Sequence, residues 1–371
     1  MHGTVGTVIV IAASAVLLAV CLFQRTRLAR TRRAQRPDEY AVYESTESET
    51  RARAGRILPL EGSEDATHLV GVETLLDRSR LTRERHRGGP DEQVEWIVDI
   101  EPVGATRIQR KHLLSAFGRD WSMQHGRPLL YGIASESGHW TYPFAQGVPE
   151  TYAKLSLAWD LADSVRDEGE VIPSARLEAY LKAVTVRVRK LGDVRVRART
   201  SPDEGAERGA HFKAVYDECK MDVAVVLSAP QDRTFDGRDI WDTMLCLGLR
   251  WGDMDVFHLE NEAGAGDQYF FSVWTSTPPG YFFPEEIAAG RVHVQDLVFG
   301  YQVPRSAAPL LVFDSMMKAA EYAKQRLGGT LLDANGNPLD PAALRSEIAA
   351  TVERMETARV SPGSHPALRL F

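Results

Sequence analysis

Residues 251–258 read Trp-Gly-Asp-Met-Asp-Val-Phe-His (WGDMDVFH) and place two carboxylates and an imidazole within six positions. Taken as a strand, alternation puts Met254 and Val256 on one face and Asp253, Asp255 and Phe257 on the other. His258 then falls on the Met254 side, away from both aspartates. An acid-base or metal site would need convergent ligands, such as an HExxH element or a Glu/His pair at helical spacing, and the sequence has none. Asp253 after Gly252 reads as a turn residue.

Outward from this stretch, elements recur. EWIVDIEP (95–102) and DVAVVLSAP (222–230) are β-branched runs, each followed by an apolar-periodic helical segment. Two strand candidates follow in each half: PLLYGIA with HWTYPF, and DMDVFHLE with QYFFSVWT. A further strand comes next, AKLSLAWDL (153–161) or QDLVFGYQV (295–303), then a long helix, Ser174 to Leu191 or Ala308 to Leu327, closed by Leu-Gly. DVRVRA (193–198) corresponds to GTLLDA (329–334), and a proline opens the last helix of each half at Pro202 and Pro341. The order β-α-β-β-β-α-β-α thus occurs twice, which predicts an α+β fold of two tandem copies. In each, helices gather on one face of a mostly antiparallel sheet and leave the other face open. A single α/β domain with irregular insertions is the competing arrangement.

If helices cover the Phe257 face, Met254, Val256, Trp274 and Val298 share the open side, and an exposed apolar patch of that kind marks a protein-binding surface. The competing reading packs the first half, or an extra helix, over it. Catalytic signatures are missing: there is no GxSxG, P-loop, GxGxxG or CxxC, and EAGAGD (262–267) falls where a hairpin loop belongs. Cys21, Cys219 and Cys246 lie far apart, without metal-ligand spacing.

The chain has 371 residues, enough for two folded units. Val5 to Phe23 is an uncharged apolar run of 19 residues, the length of a membrane-spanning helix. Arg25, Arg27, Arg30, Arg32, Arg33 and Arg36 follow it, which predicts an uncleaved anchor with its N-terminus outside and the rest of the chain cytoplasmic. A cleaved signal peptide would need basic residues before the run and a small-residue site after it. Beyond residue 36 the chain holds 38 basic and 51 acidic side chains, a net of −13, which disfavours nucleic acid as a partner. Residues 37–91 are polar and poor in aromatics, as in a flexible linker, with Leu69 to Leu76 able to form a helical turn or two. The divisions expected are 1–36 anchor and basic cluster, 37–91 linker, 92–220 first copy, 221–358 second copy and 359–371 tail.

From about Met221 to Glu356 the chain resembles the C-terminal FtsZ-binding domain of the ZipA family of membrane-anchored division proteins. The likeness is carried by Leu249-Arg-Trp-Gly-Asp-Met-Asp-Val-Phe-His258, Phe271-Ser-Val, Pro279-Gly-Tyr-Phe282, Gln302-Val-Pro304, Met316-Met-Lys-Ala-Ala-Glu-Tyr-Ala323, Leu327-Gly-Gly-Thr-Leu-Leu-Asp333 and Leu344-Arg345. The resemblance implies a six-stranded antiparallel sheet backed by three helices and no catalytic activity, cofactor or small-molecule substrate. It also implies an open face that takes the C-terminal tail of FtsZ and a division-site location at the inner membrane. The family's groove positions fall on Leu227, Met254, Val256, Trp274, Ser276, Val298 and Gly300. Two departures stand out: Ser276 and Gly300 replace large apolar side chains, and Trp274 replaces a small one. Trp274 is then expected to fill space above Gly300, unless the bound segment differs. The first half matches only in element order, with Leu130, Gly132, Thr141 and Leu157 as its candidate face. A membrane-tethered adaptor for a different cytoplasmic protein is the alternative reading.

Overall fold

The computed structural model describes residues 52–55, 57, 64–71, 88–104 and 106–371. The expected span at 5–23, the basic cluster and much of the linker lie outside them. Among the described residues, no helix is long and apolar enough to cross a membrane. The chain divides into two compact units, one of residues 84–220 with 365–371, the other of Met221–Ser364 with the described residues before 84. The expected tail at 359–371 is therefore divided: Val360 is buried in the second unit, and the last seven residues join the first.

In the first unit, β1 (Glu95–Pro102), β2 (Ile108–Gln109), α1 (Leu113–Phe117), α2 (Arg119–Gln124), β3 (Leu129–Ala134), β4 (Trp140–Thr141) and β5 (Thr151–Asp160) are followed by α3 (Ser174–Arg187), β6 (Val194–Ala198) and α4 (Pro202–Cys219). The sheet runs β4-β3-β5-β1-β6, every pair antiparallel, with β2 on β5. Helix starts follow side-chain chemistry: Ser201 accepts from the Glu204 N–H at 3.2 Å while Glu204 accepts from the Ser201 N–H at 2.7 Å, a reciprocal cap. Gly192, at φ 101°, ends the α3 region in the left-handed range open to glycine.

Glu95 is almost fully buried beneath this sheet, accepting from the Asp91 N–H at 2.6 Å and the Tyr131 hydroxyl at 3.2 Å. Burial pushes its carboxyl up to about 7, against the opposing pull of the Asp91 amide and Arg369. An acid whose pKa is higher folded than unfolded favours folding most below its unfolded value and loses that contribution as pH rises through the folded one. Between about pH 4.5 and 7 the first unit should therefore lose on the order of 2–3 kcal/mol from this group. Glu95→Gln should flatten that slope in urea titrations repeated across the interval; an unaltered slope would contradict it.

The second unit holds β7 (Asp222–Ser228), β8 (Phe235–Asp236), α5 (Gly237–Cys246), β9 (Arg250–Trp251), β10 (Phe257–Glu260), β11 (Tyr269–Trp274), α6 (Pro284–Ala288), β12 (His293–Val294), β13 (Asp296–Gln302), α7 (Pro309–Leu327), β14 (Thr330–Asp333) and α8 (Pro341–Thr357). It is an α+β fold whose six-stranded sheet runs β14-β7-β13-β11-β10-β9, all antiparallel. Val312, Phe313, Met316, Ala319, Ala320 and Ala323 recur at three- and four-residue spacing along α7 and are buried against the sheet. Ile240, Trp241 and Met244 of α5 and Ile348 of α8 join the same core. Asp236 caps α5 through the Arg238 N–H at 2.8 Å, and Gly328 at φ 82° closes α7.

Three expectations are corrected. WGDMDVFH is not a continuous strand: Asp253–Asp255 form a 3-10 turn, with Met254 at φ 59° and Asp255 at φ 57°, and the strand begins at Phe257. The Gly252 N–H closes this turn on the Val256 carbonyl at 3.0 Å, so Met254 and Val256 do not alternate with Phe257. Leu227 packs with Val223 and Val225 into the helix-side core; Ala224, Val226 and Ser228 take the opposite face. Described parts of the 37–91 stretch also pack, because Ile57, Ala66 and Val70 are buried in the second unit's core. Backbone anchors hold them: the Ala66 N–H donates to the Cys246 carbonyl at 2.9 Å, and the Ser315 hydroxyl to the Val70 carbonyl at 3.1 Å. Average polarity concealed these few apolar residues.

Candidate functional site

Across the second unit's sheet, side chains away from the helices fall into three rows. Trp274, Val298, Val226 and Leu332 are paired in register across β11, β13, β7 and β14. His258, Ser272, Gly300 and Ala224 form the next row, and Asp296, Ser228 and Thr330 the one on the other side. The middle row is wholly apolar. Val298 is fully buried, while Trp274, Val226 and Leu332 stay half-buried.

Trp274 leans across the row. A Cβ on Gly300 would lie 2.6 Å from the indole Cη2 and 2.8 Å from the Val223 carbonyl oxygen, so the ring occupies the place of a residue 300 side chain. Gly300→Ala should therefore destabilise the second unit by about 1–3 kcal/mol through forced displacement. In a Trp274→Ala background the cost should fall by at least about 0.5 kcal/mol, because only the backbone clash remains. Urea denaturation of the four proteins of this double-mutant cycle measures it, and strict additivity would refute the overlap.

Both ends of the rows are polar and self-satisfied. His258 is buried, stacked on Tyr269 with ring centroids 3.9 Å apart. Its Nε2 faces the Asp253 carbonyl at 2.8 Å, which makes that nitrogen the donor, and the Ser272 hydroxyl then donates to Nδ1 at 2.7 Å. The pair ties the 253–255 turn to β11. At the other end Asp296 accepts from the Ser276 N–H at 2.7 Å, the Thr275 hydroxyl at 3.0 Å and the Ser276 hydroxyl. Ser276 thus closes a strand end rather than lining an apolar wall.

Of the seven expected positions, the register brings together Trp274, Val298 and Gly300. Val256, buried, and Met254, half-buried, occupy the turn between β9 and β10. Leu227 lies on the helix side. Val226, Leu332 and Ala224 were missed, although alternation from a correctly faced β7 selects the first and third of them. No group of three or more metal-ligating side chains exists among the described residues.

Residues 222–348 match the family model of the ZipA C-terminal FtsZ-binding domain. The chain is also similar to the cell division protein ZipA of Shewanella loihica, 32% identical over 115 residues, which are 30% of this chain and 33% of that protein. ZipA of Pseudomonas fluorescens (strain SBW25) is 30% identical over 134 residues, 36% of this chain and 46% of its own length. ZipA of Shewanella halifaxensis is 28% identical over 150 residues, 37% of this chain and 47% of that protein. The match spans a third to about half of the length of these relatives. Over its second unit the chain is ZipA-like.

Proposed function

We propose that this ZipA-like chain is a non-catalytic cell-division protein whose second unit holds the C-terminal tail of FtsZ on the Trp274, Val298, Val226 and Leu332 row. Met254 and Val256 border that surface at the 253–256 turn, Gly300 makes room for the indole, and Ser276 with Asp296 bounds it. The single observation that carries this reading is the apolar row itself, on the sheet face opposite the helices, with Trp274, Val226 and Leu332 partly exposed around the buried Val298. An extended or helical tail segment laid on it buries Trp274 as the anchor.

On the same reading, Val5 to Phe23 anchors the chain in the inner membrane with the folded units in the cytoplasm, and filament multivalency turns weak single contacts into firm tethering at the division site. The first unit is a divergent copy of the second. In support, β6-β1-β5-β3 and β14-β7-β13-β11 are four strands in the same order along the chain and across the sheet, every neighbour antiparallel. The outer strands differ: β4 follows β3 in the chain, whereas β10 precedes β11.

Fluorescence-anisotropy titration of the full chain with labelled FtsZ tail peptide tests the groove. Trp274→Ala should weaken binding by roughly thirtyfold, on the order of 2 kcal/mol, and Val226→Glu should weaken it comparably. Equal affinity in both variants would remove the face from the interaction. Because Trp274, Ser276 and Gly300 depart in size from the family's groove pattern, a different cytoplasmic segment is the second reading; absence of tail binding by the unaltered chain would favour it.

A further inference from the structure

The last seven residues, His365-Pro-Ala-Leu-Arg-Leu-Phe371, belong to the first unit, whose other elements all precede residue 221. They form α9 (His365–Leu370), a helix of six residues, too short to be stable alone. Its structure is held by what it touches. Ala367 and Leu370 are fully buried, and the Phe371 ring stacks on Tyr216 of α4 with centroids 5.5 Å apart.

The polar contacts are charge-complementary. Arg369 pairs with Asp160 at the end of β5 and lies 3.9 Å from Glu95 of β1, and its backbone carbonyl accepts from Arg166 at 3.3 Å. One helical turn earlier, His365 Nδ1 is 2.8 Å from the Asp91 carboxylate. Three carboxylates thus face two basic positions spaced four residues apart, beside an apolar wall. The contacts of His365, Arg369 and Phe371 with Asp91, Asp160, Arg166 and Tyr216 join residues more than a hundred positions apart in the chain, the relation of a ligand to its receptor.

We propose that the first unit is a receptor for a short amphipathic helix carrying a small apolar residue, then Arg, Leu and an aromatic in the spacing of Ala367, Arg369, Leu370 and Phe371. Residues 365–371 are its resident occupant, and a partner protein's helix with the same pattern takes their place. The half-buried Arg369 supplies specificity, since a helix without it leaves Asp160 and Glu95 without that counter-charge. The tethered occupant sets the threshold, because a linked segment competes at millimolar effective concentration. Only a dense or multivalent partner displaces it.

The test uses the full chain with a protease site inserted between Ser364 and His365, so that the protein folds with the segment in place and is then cut. A labelled synthetic peptide of residues 365–371 is titrated before and after cleavage and dilution. Apparent affinity should rise at least tenfold on cleavage, and the peptide carrying Arg369→Glu should bind at least tenfold more weakly than the parent. Asp160→Asn in the cleaved protein should weaken the parent peptide as well. A segment that does not exchange after cleavage, a first unit that melts when the segment leaves, or equal binding of the Arg369→Glu peptide would each overturn the proposal.

Discussion

Trp241→Ala should lower the stability of the second unit by about 3–5 kcal/mol, the cost of deleting a large buried aromatic and leaving a cavity. Trp241 is 1% exposed on α5 and packs edge-on to Phe257, with centroids 5.1 Å apart at 70°, and 6.1 Å from Trp251. Phe282 extends the cluster 5.4 Å from Phe257, and its carbonyl accepts from the Trp251 indole N–H at 2.7 Å. These rings come from a helix, two strands and the 275–283 segment, so collapse around the void would require several elements to shift together. Chemical denaturation of the second unit's transition measures the loss; a decrease below about 1 kcal/mol would mean that the cluster relaxes freely.

The second large effect is electrostatic. Arg305 and Asp267 are both nearly buried, and the guanidinium Nε donates to the carboxylate at 2.9 Å. The Asp267 N–H also donates to the Arg305 carbonyl at 2.9 Å, and Gly266 bridges to Ser306, so the pair fixes the β10–β11 loop against the end of β13. Arg305→Ala leaves a carboxylate without its buried counter-charge and should cost about 3–5 kcal/mol. Removing both partners in Arg305→Met with Asp267→Leu should recover most of that loss, because no unpaired charge remains. Urea midpoints of the single and double variants decide it, and a double variant no better than the single would assign the effect to lost loop packing.

Local chemistry made much of the fold legible. Gly192 and Gly328 at helix ends, and Pro202 and Pro341 at helix starts, mark boundaries that the structure keeps. What failed was long-range. Residues 223–227 are apolar without a break, so alternation has no polar partner to fix the face, and Leu227 was carried to the wrong side by resemblance alone. In residues 253–256 a turn with two left-handed residues imitates the alternation of a strand, since Asp tolerates that backbone region. Strand neighbours are likewise set by pairing between distant segments, so HWTYPF, similar in pattern to QYFFSVWT, takes the sheet edge instead of the position beside β5.

The placement of α9 has a consequence for the order of events on the ribosome. The first unit's last structural piece emerges only after the whole second unit has been made, and at about 5–20 residues per second that interval lasts roughly 7 to 30 s. Through that interval Tyr216 lacks its stacking partner Phe371, and Asp160 and Glu95 lack the guanidinium of Arg369, so the first unit completes its packing last although it is made first.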